Sequence, residues 1–342
     1  MDSVTQAALG ATVAGAIAGK HCNAKILLAG AALGTLPDLD VILDYGDAVQ
    51  NTIKHRGFSH SLLVLPPFAL LISWLYCRRY TDSSWTLPRV FFLTVSVLVT
   101  HTLLDAMTTY GTQLIWPFDG YFELRNVFII DPLYTLPLLL AIGVALISKQ
   151  KGGRWCQNVV LLSTLYLGWG YVSQQVIAER VEQNLITQKL PSQQVLITPT
   201  AFNTFLWRVV VMDDGQYWEG LASVLDKDQR IDFISRPLGQ WPLEEKPNTL
   251  KGLNAFSHGY LNYRVEDDAL IVSDLRLGMA NNLSFEFVFA EKDTNGEWKL
   301  LEATQRYPSE RGLDLLTPLW QRLKGDQSID ANLQTMEVSL TP

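Results

Sequence analysis

Charge is scarce in this sequence. Only 18% of its 342 residues are Asp, Glu, Lys or Arg, against about 25% in a typical soluble chain. The positive sign is the scarcer one, 27 Lys and Arg against 34 Asp and Glu, for a net charge of −7. That balance excludes the basic surface that neutralising nucleic-acid phosphates requires, so no nucleic-acid partner is expected. Cysteine is also rare. Cys22, Cys77 and Cys156 are scattered and odd in number, which excludes a disulfide framework and a CxxC metal motif. The first apolar run follows Met1-Asp2 with no Lys or Arg ahead of it, so it lacks the basic start of a secretory signal. No internal repeat or low-complexity tract interrupts the chain.

What is present is apolar, 48% of the residues, and it is unevenly placed. Most of it lies before residue 176 and most of the charge lies after. This asymmetry predicts an α-helical membrane domain of about six helices over 1–175, a helical connector over 176–190, and a soluble, mostly antiparallel α+β domain over 191–342. Stretches 61–77, 88–107, 128–148 and 155–172 have the length and polarity of membrane helices. Stretches 4–19 and 24–36 are shorter and rich in Gly and Ala, which suits two helices packed closely as a hairpin, either spanning or re-entrant. After Pro191 the pattern changes to strands. Apolar runs 205–212 and 216–224 flank Asp213-Asp214-Gly215, and runs 283–290 and 297–301 flank Asn295-Gly296, both hairpin signals. A further strand is expected over 268–277 and a helix over 250–260.

The basic residues set an expected orientation. Lys20 and Lys25, Arg78, Arg79 and Arg89, and Lys149, Lys151 and Arg154 fall in loops on one side of a six-helix bundle, the cytoplasmic side. Lys54, Arg56 and Arg125 are exceptions. The other side then carries the ends that hold most of the chain's histidines, and the C-terminal half, which would be periplasmic.

Three of the five histidines lie with aspartates at the ends of apolar stretches: Pro37-Asp38-Leu39-Asp40, the run His55-Arg56-Gly57-Phe58-Ser59-His60-Ser61, and His101-Thr102-Leu103-Leu104-Asp105. Ionisable groups beside hydrocarbon cost about 2.5–3.5 kcal/mol each at a helix centre and mark function. Imidazole with carboxylate is a ligand set for zinc and related divalent ions. His101 and Asp105 share a helix face one turn apart. Asp38 and Asp40 alternate in an extended turn, so one of them is expected to point inward. His55 and His60 bracket a glycine turn, where Ser59 has a competing role as helix cap. Taken singly, each motif is more often structural; their convergence on one face favours a metal site. His21 reads as an exposed loop residue, and His258 belongs to the soluble half.

These residues, together with the opening Met1-Asp2-Ser3-Val4-Thr5-Gln6, Gly34-Thr35-Leu36-Pro37, Thr109-Tyr110-Gly111-Thr112, Pro117-Phe118 and Asp131-Pro132, resemble the YdjM-like family of bacterial inner-membrane proteins over roughly residues 1–175. The resemblance implies a multi-pass helical membrane domain with divalent-metal hydrolase chemistry. Zinc is the expected ion, with manganese as the alternative. It implies Asp38, Asp40, His55, His60, His101 and Asp105 as metal ligands. At a more distant level the spacing is similar to that of zinc-dependent phospholipase C and P1-type nucleases. Where many members have a histidine after the early threonine, this chain has Gln6, which either reduces a multi-metal site or binds through its carbonyl.

In a catalytic site the spare carboxylate of Asp40 would act as general base, and Arg56 would stabilise a phosphoryl oxygen with its fork of donors or pair with a nearby aspartate. The expected substrate is an amphiphile with a phosphate or ester head group, a lipid or other envelope component, and the bilayer is the expected partner. The alternative is a non-enzymatic membrane protein with a structural metal site, an ion pathway or a scaffold role.

Overall fold

The computed structural model describes residues 1–80, 84–148, 151–279, 282–307 and 313–336. Lys149, one of the orientation charges, lies outside them. In chain order the helical half consists of α1 (Ser3–Ala18), α2 (Ala24–Thr35), the short α3 (Ala48–Lys54), α4 (Leu65–Arg79), α5 (Leu87–Ala106), α6 (Pro132–Ile147) and α7 (Gly152–Gln188). The other half carries β1 (Val195–Pro199), β2 (Leu206–Asp213), β3 (Gln216–Ser223), β4 (Phe233–Pro237), α8 (Asn248–Phe256), β5 (Leu261–Glu266), β6 (Ala269–Asp274), β7 (Gly278–Met279), β8 (Asn282–Leu283), β9 (Glu286–Lys292), β10 (Trp298–Arg306) and α9 (Leu316–Leu323). Two compact units result. One comprises residues 1–43, 55–171 and 201–203; the other comprises 44–54, 172–200 and 204–342.

Polar side chains start the helices of the first unit. Asp2 accepts from the amides of Val4 and Thr5 at the head of α1, Asn23 from those of Lys25 and Ile26 at the head of α2, and Asp131 from that of Leu133 at the head of α6. Small residues bring α1 and α2 together. A Cβ on Gly10 would stand 2.3 Å from the Gly30 carbonyl oxygen, and one on Gly34 would stand 2.5 Å from that of Gln6. At the other end of α1, Arg89 donates to the Ala18 carbonyl at 3.1 Å. The start of α7 lies so near that a Cβ on Gly153 would meet the Gly19 oxygen at 2.2 Å. Cys22 and Cys156 meet there as free, buried thiols in one apolar cluster, a pairing that their separation in sequence concealed. The end of α1 and the starts of α5 and α7 therefore gather at one end of this unit, beside Lys20, Lys25, Arg89, Lys151 and Arg154.

All six expected apolar stretches fold as helices, but six membrane crossings do not follow from them. Among the described residues α5 alone is long and apolar enough to cross a membrane, and at most one bent pair of helices passes the same test jointly. The physical reason is length and polarity. At 1.5 Å per residue, 16-residue α1 and α6 reach about 24 Å, short of a hydrocarbon core of about 30 Å. In α7 the first half is diluted by Gln157 and Asn158.

The second unit is built on two antiparallel four-stranded sheets, ordered β1-β2-β3-β4 and β10-β9-β6-β5, with β7 and β8 as a small separate pair. Both expected hairpins form. Asp213 pairs with Gln216 across Gly215, which has φ 73°, and the β9–β10 turn contains Gly296 at φ 79°. Such positive φ suits glycine. Ile177, Val181 and Leu185 of α7 pack with Trp207, Val209 and Val211 of β2. Segment 44–54 joins this unit through α3, whose Ile53 fills the space a side chain on Gly252 of α8 would need.

Candidate metal centre

The site forms where the start of α1, the end of α2 and the end of α5 meet. Thr102 of α5 donates to the His60 carbonyl at 2.6 Å and so fastens the 3₁₀ turn Phe58–His60 onto the helix. Asp38 lies in a second 3₁₀ turn, Pro37–Ile42, directly after α2. Pro37 at its first position suits that turn, because its φ is fixed and it has no amide hydrogen to satisfy.

His60 Nε2 and His101 Nε2 stand 3.0 Å apart. Asp38 Oδ1 lies 3.3 Å from the first and 3.5 Å from the second; Asp105 Oδ2 lies 3.2 Å and 3.4 Å from them. A tetrahedral ion with bonds of about 2.0–2.1 Å separates its ligand atoms by about 3.3 Å, so the spacing fits such an ion. Asp38, His60, His101 and Asp105 form a group that could hold a metal ion.

The hydrogen bonds around the group fix what these atoms offer. His101 Nδ1 faces the Gly34 carbonyl at 2.6 Å. A carbonyl only accepts, so Nδ1 carries a proton, and in the neutral ring Nε2 presents a lone pair. Gly34 is in the last turn of α2, where carbonyls have no helical partner. Ser59 Oγ donates to Asp40 Oδ2 at 2.6 Å and therefore accepts from His60 Nδ1 at 2.9 Å, which leaves His60 Nε2 bare as well. Asp38 Oδ1 and Asp105 Oδ2 are buried without any hydrogen-bond partner. A proton on one imidazole would satisfy part of this set. A divalent cation satisfies all four atoms at once. Hydrogen bonds on the far side of a ligand, as here, orient it and raise its basicity.

The second oxygen of Asp105 is anchored. Oδ1 accepts from Gln6 Nε2 at 3.0 Å and lies 3.3 Å from Arg56 Nη2; the Met1 amino group also bonds to it. Gln6 additionally donates to the His101 carbonyl at 3.3 Å. Gln6 thus holds Asp105 with its amide nitrogen, while its side-chain carbonyl oxygen is buried with no hydrogen-bond partner. Arg56 is buried, with its guanidinium 4.8 Å from the Tyr110 ring centroid and a bond to Thr108 Oγ1 at 3.2 Å. It takes the aspartate-pairing role named above.

Two expected ligands fall outside the group. Asp40 accepts from the Arg56 amide at 3.0 Å and from Ser59 on one oxygen, and meets His55 Nδ1 at 2.7 Å on the other. Both oxygens are engaged, so Asp40 orients His55 and, through Ser59, His60, and it lies outside the group that could hold an ion. His55, with 20% of its side chain exposed, stands beside His60 with ring centroids 5.8 Å apart. Sequence reading assigned Ser59 to a cap and passed over Thr102 and the Gly34 carbonyl. Hydroxyls and a glycine carbonyl carry no signal of their own until the chain is folded. His21 lies against Trp85, and His258, in the second unit, does not join the group.

A membrane-type helical unit that closes on a buried His2Asp2 group, followed in sequence by an antiparallel-sheet unit, defines the class of protein. Comparison with known proteins narrows it. The YdjM inner membrane protein family matches residues 1–177, and the chain belongs to that family. Inner membrane protein YbcI of Escherichia coli (strain K12) is 31% identical over 175 residues, 48% of this chain and 95% of that protein. YfhP of Bacillus subtilis (strain 168) is 24% identical over 212 residues, 60% of this chain and 63% of that protein. No solved structure matches.

Proposed function

We propose that this protein is a membrane-bound, metal-dependent hydrolase acting on a phosphate- or ester-bearing lipid or other envelope substrate. Asp38, His60, His101 and Asp105 hold the ion, with zinc preferred by the two imidazoles and the tetrahedral spacing. One observation carries the reading: four buried acceptor atoms face one another at 3.0–3.5 Å in their measured pairs, with two carboxylate oxygens otherwise unsatisfied. When bound, such an ion polarises the electrophile and lowers the pKa of water to about 7. The chain's own residues set the rest. Gly34 and Ser59 hold the imidazole tautomers, while Gln6 and Arg56 hold Asp105. His55, braced by Asp40, is the imidazole left beside the ligands to accept a proton.

Several helices cross the bilayer in this reading, and the ligands lie at the end of the helical unit remote from Lys20, Lys25, Arg89, Lys151 and Arg154. Under the positive-inside rule this supports a periplasmic metal centre and a periplasmic C-terminal unit. Elemental analysis of the purified protein tests the ion. Wild type is expected to carry close to one equivalent of zinc or manganese, with His60→Ala and Asp105→Asn carrying almost none. Equal contents in all three would remove the site.

A structural metal site is the second reading, and the four protein ligands favour it, since closed sites are structural and catalytic ones keep an open position. Asp38, whose side chain is 18% exposed while the other three ligands are 0–1% exposed, is the ligand best placed to yield a position. Phosphate is therefore expected to perturb the visible spectrum of the cobalt-substituted protein. An unchanged spectrum would assign the ion to structure.

A further inference from the structure

The partly exposed groups of the site, Asp38 and His55, are neighboured in sequence by apolar side chains that are exposed. Leu39, Val41 and Ile42 follow Asp38 in its own turn, and Val41 and Ile42 are 67% and 76% exposed. Phe58 opens the turn that ends in His60 and packs its ring at 6.1 Å on Trp116. Phe118, two residues further, is 64% exposed. The loop bearing Trp116 and Phe118 is fastened to the ligand segment, because Ser61 Oγ donates to the Trp116 carbonyl at 2.8 Å and the Leu62 amide to the Leu114 carbonyl at 2.8 Å. Loops that carry catalytic groups into water do not ordinarily present such a row of large apolar residues.

Exposed residues of the same kind follow the candidate ligands along the chain. Exposed Leu63 leads from His60 into α4 with exposed Leu70 and Leu71, and exposed Leu103 lies between His101 and Asp105 on α5. In a family of inner membrane proteins exposed apolar side chains of this kind suit lipid, and the rim of the metal centre carries them too. We infer that the mouth of the metal centre opens at the bilayer, so that the substrate is a membrane amphiphile whose head group reaches the ion from the lipid side while its chain lies against Leu39, Val41, Ile42, Phe58, Trp116 and Phe118. The chain-binding part of this inference rests on the hydrolase reading; the depth of the rim does not.

Two measurements on the full-length protein separate these claims. With Cys77 replaced by serine, nitroxides are placed at Ile42→Cys or Phe118→Cys in vesicles of phosphatidylethanolamine and phosphatidylglycerol. Both are expected to collide with oxygen several-fold more, relative to a water-soluble nickel chelate, than a label at Asn295→Cys on the β9–β10 turn. Labels open to the chelate, or closed to both agents as under a protein partner, overturn the inference. In the cobalt-substituted protein, dispersed phosphatidic acid and inorganic phosphate are then compared as probes. The double variant Ile42→Asp/Phe118→Asp is expected to retain its metal and its response to phosphate, but to require about tenfold more phosphatidic acid, as loss of a buried apolar contact implies. Equal effects on the two probes, or none, would overturn the chain-binding part. No response to either probe in wild type would remove the hydrolase reading, and the labels alone would then decide where the rim lies.

Discussion

Gly34→Ala is expected to lower metal affinity about 10- to 100-fold and to destabilise the helical unit by about 1–3 kcal/mol. A single methyl group has this reach because of where it lands. The added Cβ would sit 2.5 Å from the Gln6 carbonyl oxygen and 3.0 Å from Gly10 Cα. Both are backbone atoms in α1, so no side-chain rotation relieves the clash and the two helices must part. Parting them moves two supports of the candidate metal group at once. The Gly34 carbonyl fixes the His101 tautomer, and Gln6, one of the residues pushed away, holds Asp105. Metal content at limiting zinc and the thermal transition of the detergent-solubilised protein measure the two effects. Gly143→Ala is the control: it lies inside α6 with nothing within 4 Å of the added Cβ, and alanine is the better helix former. Normal metal content in Gly34→Ala would show that the α1–α2 contact does not position the ligands.

Glu219→Ala is expected to cost the second unit about 3–5 kcal/mol, the range for removing one partner of a buried ion pair. Glu219 on β3 accepts from Arg208 Nε of β2 at 2.5 Å and from Arg236 Nε of β4 at 2.6 Å, so one carboxylate joins three adjacent strands. Arg208 also donates to the Leu275 carbonyl at 2.5 Å, and Arg236 to Asn332 Oδ1 at 2.5 Å. Without Glu219, Arg208, which is 2% exposed, would keep a buried charge with no counter-ion. Hydrogen exchange of peptides from β2 and β3 should rise well above that of wild type; unchanged protection would rule out this role.

The sign of the pH dependence follows. Burial pushes the Glu219 carboxyl upward, but Arg208 and Arg236 outweigh it and hold the pKa below its ordinary value. Its contribution is therefore present in full above the unfolded value of about 4.3 and is lost as pH falls through the folded value. The gap between wild type and Glu219→Gln should accordingly narrow on acidification below about pH 4.3.

Much of the architecture was legible because it rests on local chemistry. The Asp-Gly and Asn-Gly turns announced both hairpins, and the small-residue faces of α1 and α2 announced their close packing. The strands β1, β4 and β5 and the helix α9 escaped notice. They are short and only partly apolar, and long-range pairing stabilises them. Six membrane crossings are not confirmed, because among the described residues only α5, or a bent pair taken jointly, passes on length and apolarity. In the site, residue type identified Asp38, His60, His101 and Asp105 as candidates, but did not distinguish them from Asp40 and His55, which belong to the same two classes of ligand.

By itself the sequence determined the division into an apolar helical half and a strand-rich half. It also determined the imidazole and carboxylate chemistry gathered at helix ends, because hydropathy, turn residues and donor type are properties of the residues themselves. Only the tertiary structure decided which lone pairs converge, that Gln6 and Arg56 brace Asp105, and that residues 44–54 join the second unit. Those outcomes depend on close approaches between segments far apart in the chain, from Gln6 against Asp105 to Ile53 against Gly252.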